Sequence, residues 1–371
     1  MSRFPTPQTD RSAVGSAVEA LDTPALLLDL KACDRNLATM AALFEGKKCK
    51  LRPHFKNHKC TTLARRQLAA GSAVGMTCAK AGEAEVLAAA GVDNILIANQ
   101  VVGPRKVQRL VDVARKATVR VAVDDLSQAK AISQAADSAG LMIGLLVEVD
   151  VGMGRCGVQP GPPALELVQQ LVGLPGVQFW GIQAFEGHAP YENDPDKRKR
   201  LCSPSLADAL ETRRLIEEQG IEIQGISGGS SSTYPMTCLD DGFDELQCGT
   251  YATMDWRYHE AAPQFEIALS ILTTVISRPR PDVAVLDLGV KGAGGEFGPP
   301  KVLGHAEAEV PYFLSEEHTI VNKAPAWPIG KTVQVVPSHA CTTCNLYGQM
   351  HVHEDGKVVD VWPIEGAGRL T

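Results

Sequence analysis

Apolar positions fall into short β-branched runs, each followed by a stretch with helical spacing. The runs are KLRPHFK (50–56), SAVGMTCAK (72–80), NILIANQV (94–101), TVRVAVDD (118–125), IGLLVEVDVG (143–152), VQFWGIQAFEG (177–187), IEIQGISGG (221–229) and ELQCGTY (245–251). Between them lie CTTLARRQLAA, AGEAEVLAAAG, PRKVQRLVDVARK, LSQAKAISQAADSAG, ALELVQQLVG and the long DKRKRLCSPSLADALETRRLIEEQG, with Gly and Asp at many junctions as caps and turns. Strand alternating with helix predicts a parallel sheet. Eight such units in about 210 residues point to an α/β fold closed as a (β/α)8 barrel. An open doubly wound sheet is the alternative, but no GxGxxG follows an early strand.

The rhythm changes after about residue 262. FEIALSILTTVISR, DVAVLDLG, HTIVNK, KTVQVVPSHAC and MHVHEDGKVVDVWP read as strands joined by turns, and Asp355-Gly356 is a hairpin signal between two alternating runs. The expected organisation is a barrel over 23–262, then a mainly β domain over 263–371, with 1–22 as a possible addition to it. The early strand TPALLLDL (23–30) could join either domain.

Composition narrows the class. The chain has 371 residues, 44% hydrophobic and 21% charged, with a formal net charge of −7. That balance argues against a nucleic-acid partner. KRKR at 197–200 is short and reads as a solvated helix face. No run is apolar and long enough for a membrane span. The start, MSRFPTPQTDRSAVG, lacks the apolar core of a signal peptide. Ten cysteines are scattered singly, which suggests a reducing cytoplasm rather than a disulfide framework.

Barrel enzymes carry their chemistry at the carboxyl ends of the strands. Lys56 falls at the end of the first barrel strand, within RPHFKNHK. It reads either as a reagent amine, able to hold a carbonyl cofactor as an imine, or as spare charge at a helix start. Arg155 follows the fifth strand; Gln183, Glu186 and His188 follow the sixth; SGGSSST (227–233) follows the seventh; Gly249, Thr250 and Tyr251 close the eighth. SGGSSST, with Gly228, Gly229, Ser230 and Ser231, is either an anion cradle or a flexible polar loop. Gly249 and Thr250 beside it favour phosphate. A phosphate site and a lysine on one rim suggest pyridoxal 5′-phosphate. Arg155 would then serve the cofactor's ring; otherwise it would pair with Glu148 or Asp150.

His339 and Cys341, in PSHACTTC, are spaced i, i+2 at an expected strand end, which would point both side chains one way. Imidazole plus thiolate suits Zn²⁺. A packed histidine beside a buried cysteine is the alternative, and Cys344 is a rival sulfur. His351 and His353 share the spacing but fall in what reads as an exposed hairpin.

RPHFKNHK, GMGRCGV, GIQAFEG, SGGSSST, ELQCGTYATMD and PSHACTTCN, in that order, resemble the D-threonine aldolase and D-serine dehydratase family from about Thr23 to the end. These are fold-type III pyridoxal-phosphate enzymes with an alanine-racemase-like barrel. The resemblance implies Lys56 as the cofactor lysine and the GGSSST loop with Gly249 and Thr250 as the phosphate site. It implies His339 and Cys341 as ligands of a divalent metal, and a homodimer acting on D-β-hydroxy-α-amino acids. Lys59 is then a helix-start charge. Aldolases of the family usually read H-x-D, with a magnesium- or manganese-type ion, and the dehydratases H-x-C with zinc. This chain reads H-x-C within an otherwise aldolase-like set.

The expected reaction is therefore retro-aldol cleavage to glycine and an aldehyde, with dehydration to a keto acid and ammonia as the alternative. The base for the β-hydroxyl proton is expected to be a metal-bound hydroxide or His54. No tyrosine stands out as a racemase's second base. Arg52 and Arg257 are the conceivable receivers of a substrate's second carboxylate.

Overall fold

The computed structural model describes residues 9–311 and 315–371; the first eight residues of the opening stretch read above lie outside the described residues. The first elements are β1 (Ala25–Asp29), α1 (Leu30–Phe44), β2 (Lys50–Leu51), α2 (Thr61–Ala69), β3 (Met76–Cys78), α3 (Ala81–Ala89), β4 (Asn94–Gln100) and α4 (Pro104–Ala114). Next come β5 (Thr118–Val123), α5 (Leu126–Ser138), β6 (Ile143–Val149), α6 (Pro162–Leu171), β7 (Val177–Ala184), α7 (Pro195–Glu218), β8 (Gly225–Gly228), α8 (Tyr234–Thr237) and β9 (Glu245–Leu246). The chain continues with α9 (Trp256–Ala261), β10 (Leu269–Arg280), β11 (Val283–Leu286), β12 (Lys301–Val302), β13 (Thr319–Asn322), β14 (Thr332–Val336), α10 (Ala340–Cys344), β15 (Gln349–Glu354) and β16 (Lys357–Pro363).

The described chain divides into two compact units. A barrel unit holds residues 41–56, 64–249 and 369–371; a sheet unit holds residues up to Met40, Asn57–Leu63 and Thr250–Gly368. In the barrel unit the strands run in the order β2-β9-β8-β7-β6-β5-β4-β3, all parallel. Parallel bridges Leu51↔Ala73 and His54↔Thr77 join the two ends of that order, so the ring closes. Ile95, Leu96 and Ile97, Val121 to Val123, and Leu145 to Val147 are fully buried. Strands covered on both faces need such continuous apolar runs, because no residue alternates toward water. The helices start where the sequence places caps: Asp125 accepts from Ser127 N, and Asp194 from Asp196 N and Lys197 N.

β2 and β9 have only two residues each, although the sequence suggests longer runs. Pro53 cannot donate to a ladder, and Pro53 to Phe55 use isolated bridges and turns instead. An ionic cluster joins the residue after β2 to the first residue of β9. Arg52 Nε and Nη2 donate to Glu245 at 2.7 Å each, Arg52 Nη1 donates to Asn94 Oδ1 at 2.9 Å, and Arg120 Nη1 donates to Glu245 at 3.0 Å.

In the sheet unit β1 pairs antiparallel with β10 and parallel with β15. β10 also pairs with β11 and β14, and β15 closes a hairpin with β16. Asp355 and Gly356, with φ of 48° and 79°, make the left-handed two-residue turn that their sequence suggests. Leu27, Leu272, Val358 and Val361 pack as part of its core. Among the described residues no helix is long and apolar enough to cross a membrane.

Candidate active site

In the barrel unit Lys56 lies beyond β2 and is half-buried. Its Nζ sits 5.6 Å from the centre of the Phe185 ring, and the Arg155 guanidinium is 5.7 Å from the same ring. Phe185 directly follows β7, so one aromatic side chain links the two cations proposed from sequence. Arg155 is half-exposed and its Nη2 lies 3.8 Å from Glu148 Oε1. Asp150, the other partner considered for it, accepts from Gly152 N and Gly154 N. Burial raises the Glu148 carboxyl, against hydrogen bonds from Gln100 and Gln183 and the charge of Arg155. Gln100 Nε2 donates to Glu148 at 2.6 Å and to Asp124 at 3.1 Å.

The loop after β8 is a dense hydroxyl cluster. Ser230, Ser231, Ser232 and Thr233 are all buried. Thr233 Oγ1 accepts from Ser230 N at 2.9 Å and donates to Glu186 at 2.5 Å. Gly229 N donates to the other Glu186 oxygen at 3.2 Å. Glu186 is thus an internal brace for this loop, and burial pushes its carboxyl upward. A Cβ on Gly228 would lie 1.8 Å from the Ala184 carbonyl oxygen, and Gly229 has a φ of +73°. Both glycines are required by the backbone path that presents the loop. Gln247 Nε2 donates to Gln183 Oε1 at 3.2 Å and to Ser227 Oγ at 3.0 Å, which ties Gln183 to the loop's start. Gly249 ends the barrel unit.

Several sequence candidates fare differently. His54 is buried, and its Nδ1 accepts from Lys56 N at 3.4 Å. Arg52 is fully buried against Glu245 and cannot receive a substrate carboxylate. Arg257 pairs with Glu260 at 3.1 Å. His188 is exposed, with Nε2 3.4 Å from Leu201 O. Lys59 is buried with a φ of 56°, not a solvated charge, because α2 begins only at Thr61. Thr250 and Tyr251 form a buried short turn in the sheet unit, and Tyr251 packs on Phe265 with ring centres 5.9 Å apart.

The sheet unit carries the second candidate. β14 ends at Val336, so His339 and Cys341 are not on a strand. His339 precedes α10, and Cys341 lies inside it. The i, i+2 strand argument fails here, yet the two side chains still meet in a hydrogen bond. Burial lowers the His339 imidazole, but Cys341 and Glu296 outweigh it and raise the ring to about 10. Glu296 Oε1 lies 2.5 Å from His339 Nδ1. Asp255 Oδ2 accepts from Ala340 N, between the two residues, at 2.9 Å. Asn57 Nδ2 donates to Cys341 Sγ at 3.8 Å, and Thr253 Oγ1 donates to Asn57 Oδ1 at 2.7 Å. Cys344 is fully buried and burial drives its thiol far upward, so it stays protonated. His353 is buried in β15, contrary to an exposed hairpin, because β1 covers that strand. No group of three or more His, Cys, Asp or Glu side chains fit to hold a metal occurs among the described residues.

Sequence reasoning missed Phe185, Gln247, Glu296, Asp255 and Asn57. Glu296 is the single carboxylate in the glycine-rich GAGGEFG, and that isolation was the available signal.

Comparisons with known proteins identify the family. Residues 28–255 match the model of the alanine racemase N-terminal domain, and residues 268–353 match a putative serine dehydratase domain. The chain is 39% identical to D-threonine aldolase of Arthrobacter sp. over 95% of both chains. It is 34% identical to 3-hydroxy-D-aspartate aldolase of Paracoccus denitrificans over 94% of this chain and 93% of that one. It is 27% identical to D-threo-3-hydroxyaspartate dehydratase of Delftia sp. over 87% of this chain and 92% of the other. The crystal structure of D-threonine aldolase from Filomicrobium marinum superposes with a TM-score of 0.93 at 34% identity, covering 96% of this chain and 99% of that one. A lysine, a buried hydroxyl loop and this shared fold together place the chain in the D-threonine aldolase family of alanine-racemase-type enzymes, which implies pyridoxal 5′-phosphate as its cofactor.

Proposed function

We propose that the chain is a pyridoxal-phosphate- and metal-dependent carbon–carbon lyase that works as a homodimer. Its substrates are D-β-hydroxy-α-amino acids of the D-threonine or 3-hydroxy-D-aspartate type, cleaved to glycine and an aldehyde. The observation that carries this reading is near full-length identity of 39% and 34% to two aldolases, against 27% to a dehydratase.

The residues present fit the cofactor. Lys56 would hold its aldehyde carbon, and Ser230, Ser231, Gly228 and Gly229 its phosphate. Gly249, Thr250 and Tyr251 are assigned to the same phosphate end, and Arg155 and Gln183 to the ring. Support comes from the buried hydroxyls of the loop and from glycines that no larger residue can replace without a clash or strain. When bound, pyridoxal phosphate supplies an electron sink for the pair left when Cα–Cβ breaks. The chain's own groups do the rest. Lys56 Nζ is assigned to proton transfer at Cα. Phe185 keeps the Lys56 and Arg155 cations against an aromatic face. Glu186 holds the loop so that its donors are set before ligand arrives. His54 is assigned as a base for the β-hydroxyl proton.

His339 and Cys341 are proposed as the protein ligands of a divalent cation, Zn²⁺ by their softness, with Mn²⁺ or Mg²⁺ as alternatives. The fit rests on Glu296 at Nδ1, the arrangement that metal-bound histidines use. The cation supplies Lewis acidity toward the β-oxygen. A second reading, dehydration to a keto acid and ammonia, is favoured by the cysteine at 341.

The test is a product assay with D-threonine and 3-hydroxy-D-aspartate, with pyridoxal phosphate and either Zn²⁺ or Mn²⁺. Glycine with acetaldehyde or glyoxylate supports the lyase. Oxaloacetate and ammonia from 3-hydroxy-D-aspartate establish the second reading instead.

A further inference from the structure

The loop of residues 289–298 is built against the His339 turn at several points. Gly294 N donates to Thr343 Oγ1 at 3.1 Å, and Ser338 Oγ donates to the Gly294 carbonyl at 3.2 Å. A Cβ on Gly294 would lie 2.0 Å from Thr342 Oγ1 and 2.9 Å from Glu296 Oε2. Only a glycine lets the loop come this near to α10. The approach delivers two consecutive side chains to one imidazole. Glu296 reaches Nδ1 at 2.5 Å, and the Phe297 ring centre lies 4.8 Å from that of His339 at a tilt of 52°. Meanwhile Asp255, itself fully buried, fixes the backbone through Ala340 N. The imidazole is thus held at its ring nitrogen, its face and its backbone.

An imidazole has two nitrogens and, when neutral, one proton. Whichever nitrogen keeps the proton cannot ligate. A carboxylate at Nδ1 keeps the proton there and leaves Nε2 as the electron-pair donor. We propose that Glu296 is a positioning residue for His339: it fixes the Nδ1–H form and orients the ring so that Nε2 is the nitrogen offered to a divalent cation. This rests on reading His339 and Cys341 as the cation-binding pair. Glu296 itself touches neither substrate nor cofactor in this role.

The experiment measures Zn²⁺ affinity of the full-length, cofactor-loaded, metal-stripped protein by competition with a chromophoric chelator. His339→Ala sets the background. Glu296→Ala is expected to weaken Zn²⁺ binding by about 10- to 100-fold. Glu296→Gln retains an oxygen that can accept from Nδ1, so it is expected to stay within about threefold of the parent, on the same reasoning. Should Glu296→Ala fail to melt cooperatively, Glu296→Met replaces it, keeping volume but removing the acceptor. Parent-like affinity in the Ala or Met variant, while His339→Ala loses the ion, overturns the role of Glu296 and leaves the cation pair standing. A Gln variant as weak as Ala also overturns it, because charge and not ring orientation would then be the cause. If His339→Ala binds Zn²⁺ like the parent, the cation pair is wrong and this inference falls with it.

Discussion

Glu245→Ala removes the carboxylate that two arginines share at the first residue of β9. Arg52 is fully buried, and 8% of the Glu245 side chain is exposed. Each Arg52 nitrogen facing Glu245 is at 2.7 Å, and Arg120 adds a third contact at 3.0 Å. Without Glu245, the Arg52 guanidinium keeps only Asn94 as a side-chain partner among the described residues. Stranding one partner of a buried pair typically costs about 3–5 kcal/mol. With a urea m-value of about 3 kcal/mol/M for a unit of this size, the midpoint should fall by about 1–1.7 M. The assay is urea unfolding followed by far-UV circular dichroism. A loss below about 1 kcal/mol would refute the reasoning, since it would mean that water already reaches Arg52. The pH dependence gives a second check. Burial alone would raise Glu245, but Arg52 and Arg120 outweigh it and hold the group below its ordinary 4.5. Its contribution is therefore complete above about 4.5 and is lost as pH falls through the depressed folded value. The gap between parent and variant should narrow over that acid range.

Further outcomes follow from the sites. Lys56→Ala should abolish the visible absorption of bound pyridoxal phosphate and stop turnover; an unchanged spectrum would remove Lys56 from its role. Gly228→Ala puts a methyl 1.8 Å from the Ala184 carbonyl, so phosphate-end binding should weaken and stability should fall by about 1–3 kcal/mol, read from cofactor affinity and thermal melting. Glu186 is raised by burial, so its stability contribution is present below about 4.5 and lost as pH rises through the folded value. Glu186→Gln should therefore gain on the parent as pH climbs above that point, and melting curves across pH would show a flat difference if Glu186 were solvated. Cys341→Asp should shift retained metal from Zn²⁺ toward Mn²⁺ or Mg²⁺, as elemental analysis would report; unchanged zinc would remove Cys341 from the ligand set.

Much of the barrel was readable because parallel strands and their helices write different periods into the chain. Eight apolar runs each contain one observed strand, and six helical stretches each overlap one helix. Their lengths were less readable. Pro53 and the turns around it shorten β2 to Lys50–Leu51, an effect of ladder chemistry that hydrophobicity does not reveal. The H-x-C pair was legible as residue types but not as geometry. Ser338 and His339 end an extended run, and the five residues of α10 are too few to show a helical period. Glu296 escaped because it lies 43 residues from His339 in sequence, and only the close packing around Gly294 brings them together.

The pairing of β1 has a consequence for synthesis. Ala25 faces Leu272, and Leu27 faces His351. A ribosome exports β1 well before its partners, for both of its neighbours emerge only after residues 64–249 have been made. Until then β1 exposes two unpaired edges and an apolar ALLLD face. The barrel segments can begin to pair early, but the sheet must close loops of hundreds of residues late. Removing either β1 or the β15–β16 hairpin would therefore damage the same sheet, and nascent chains stalled before β15 should be prominent clients of holding chaperones.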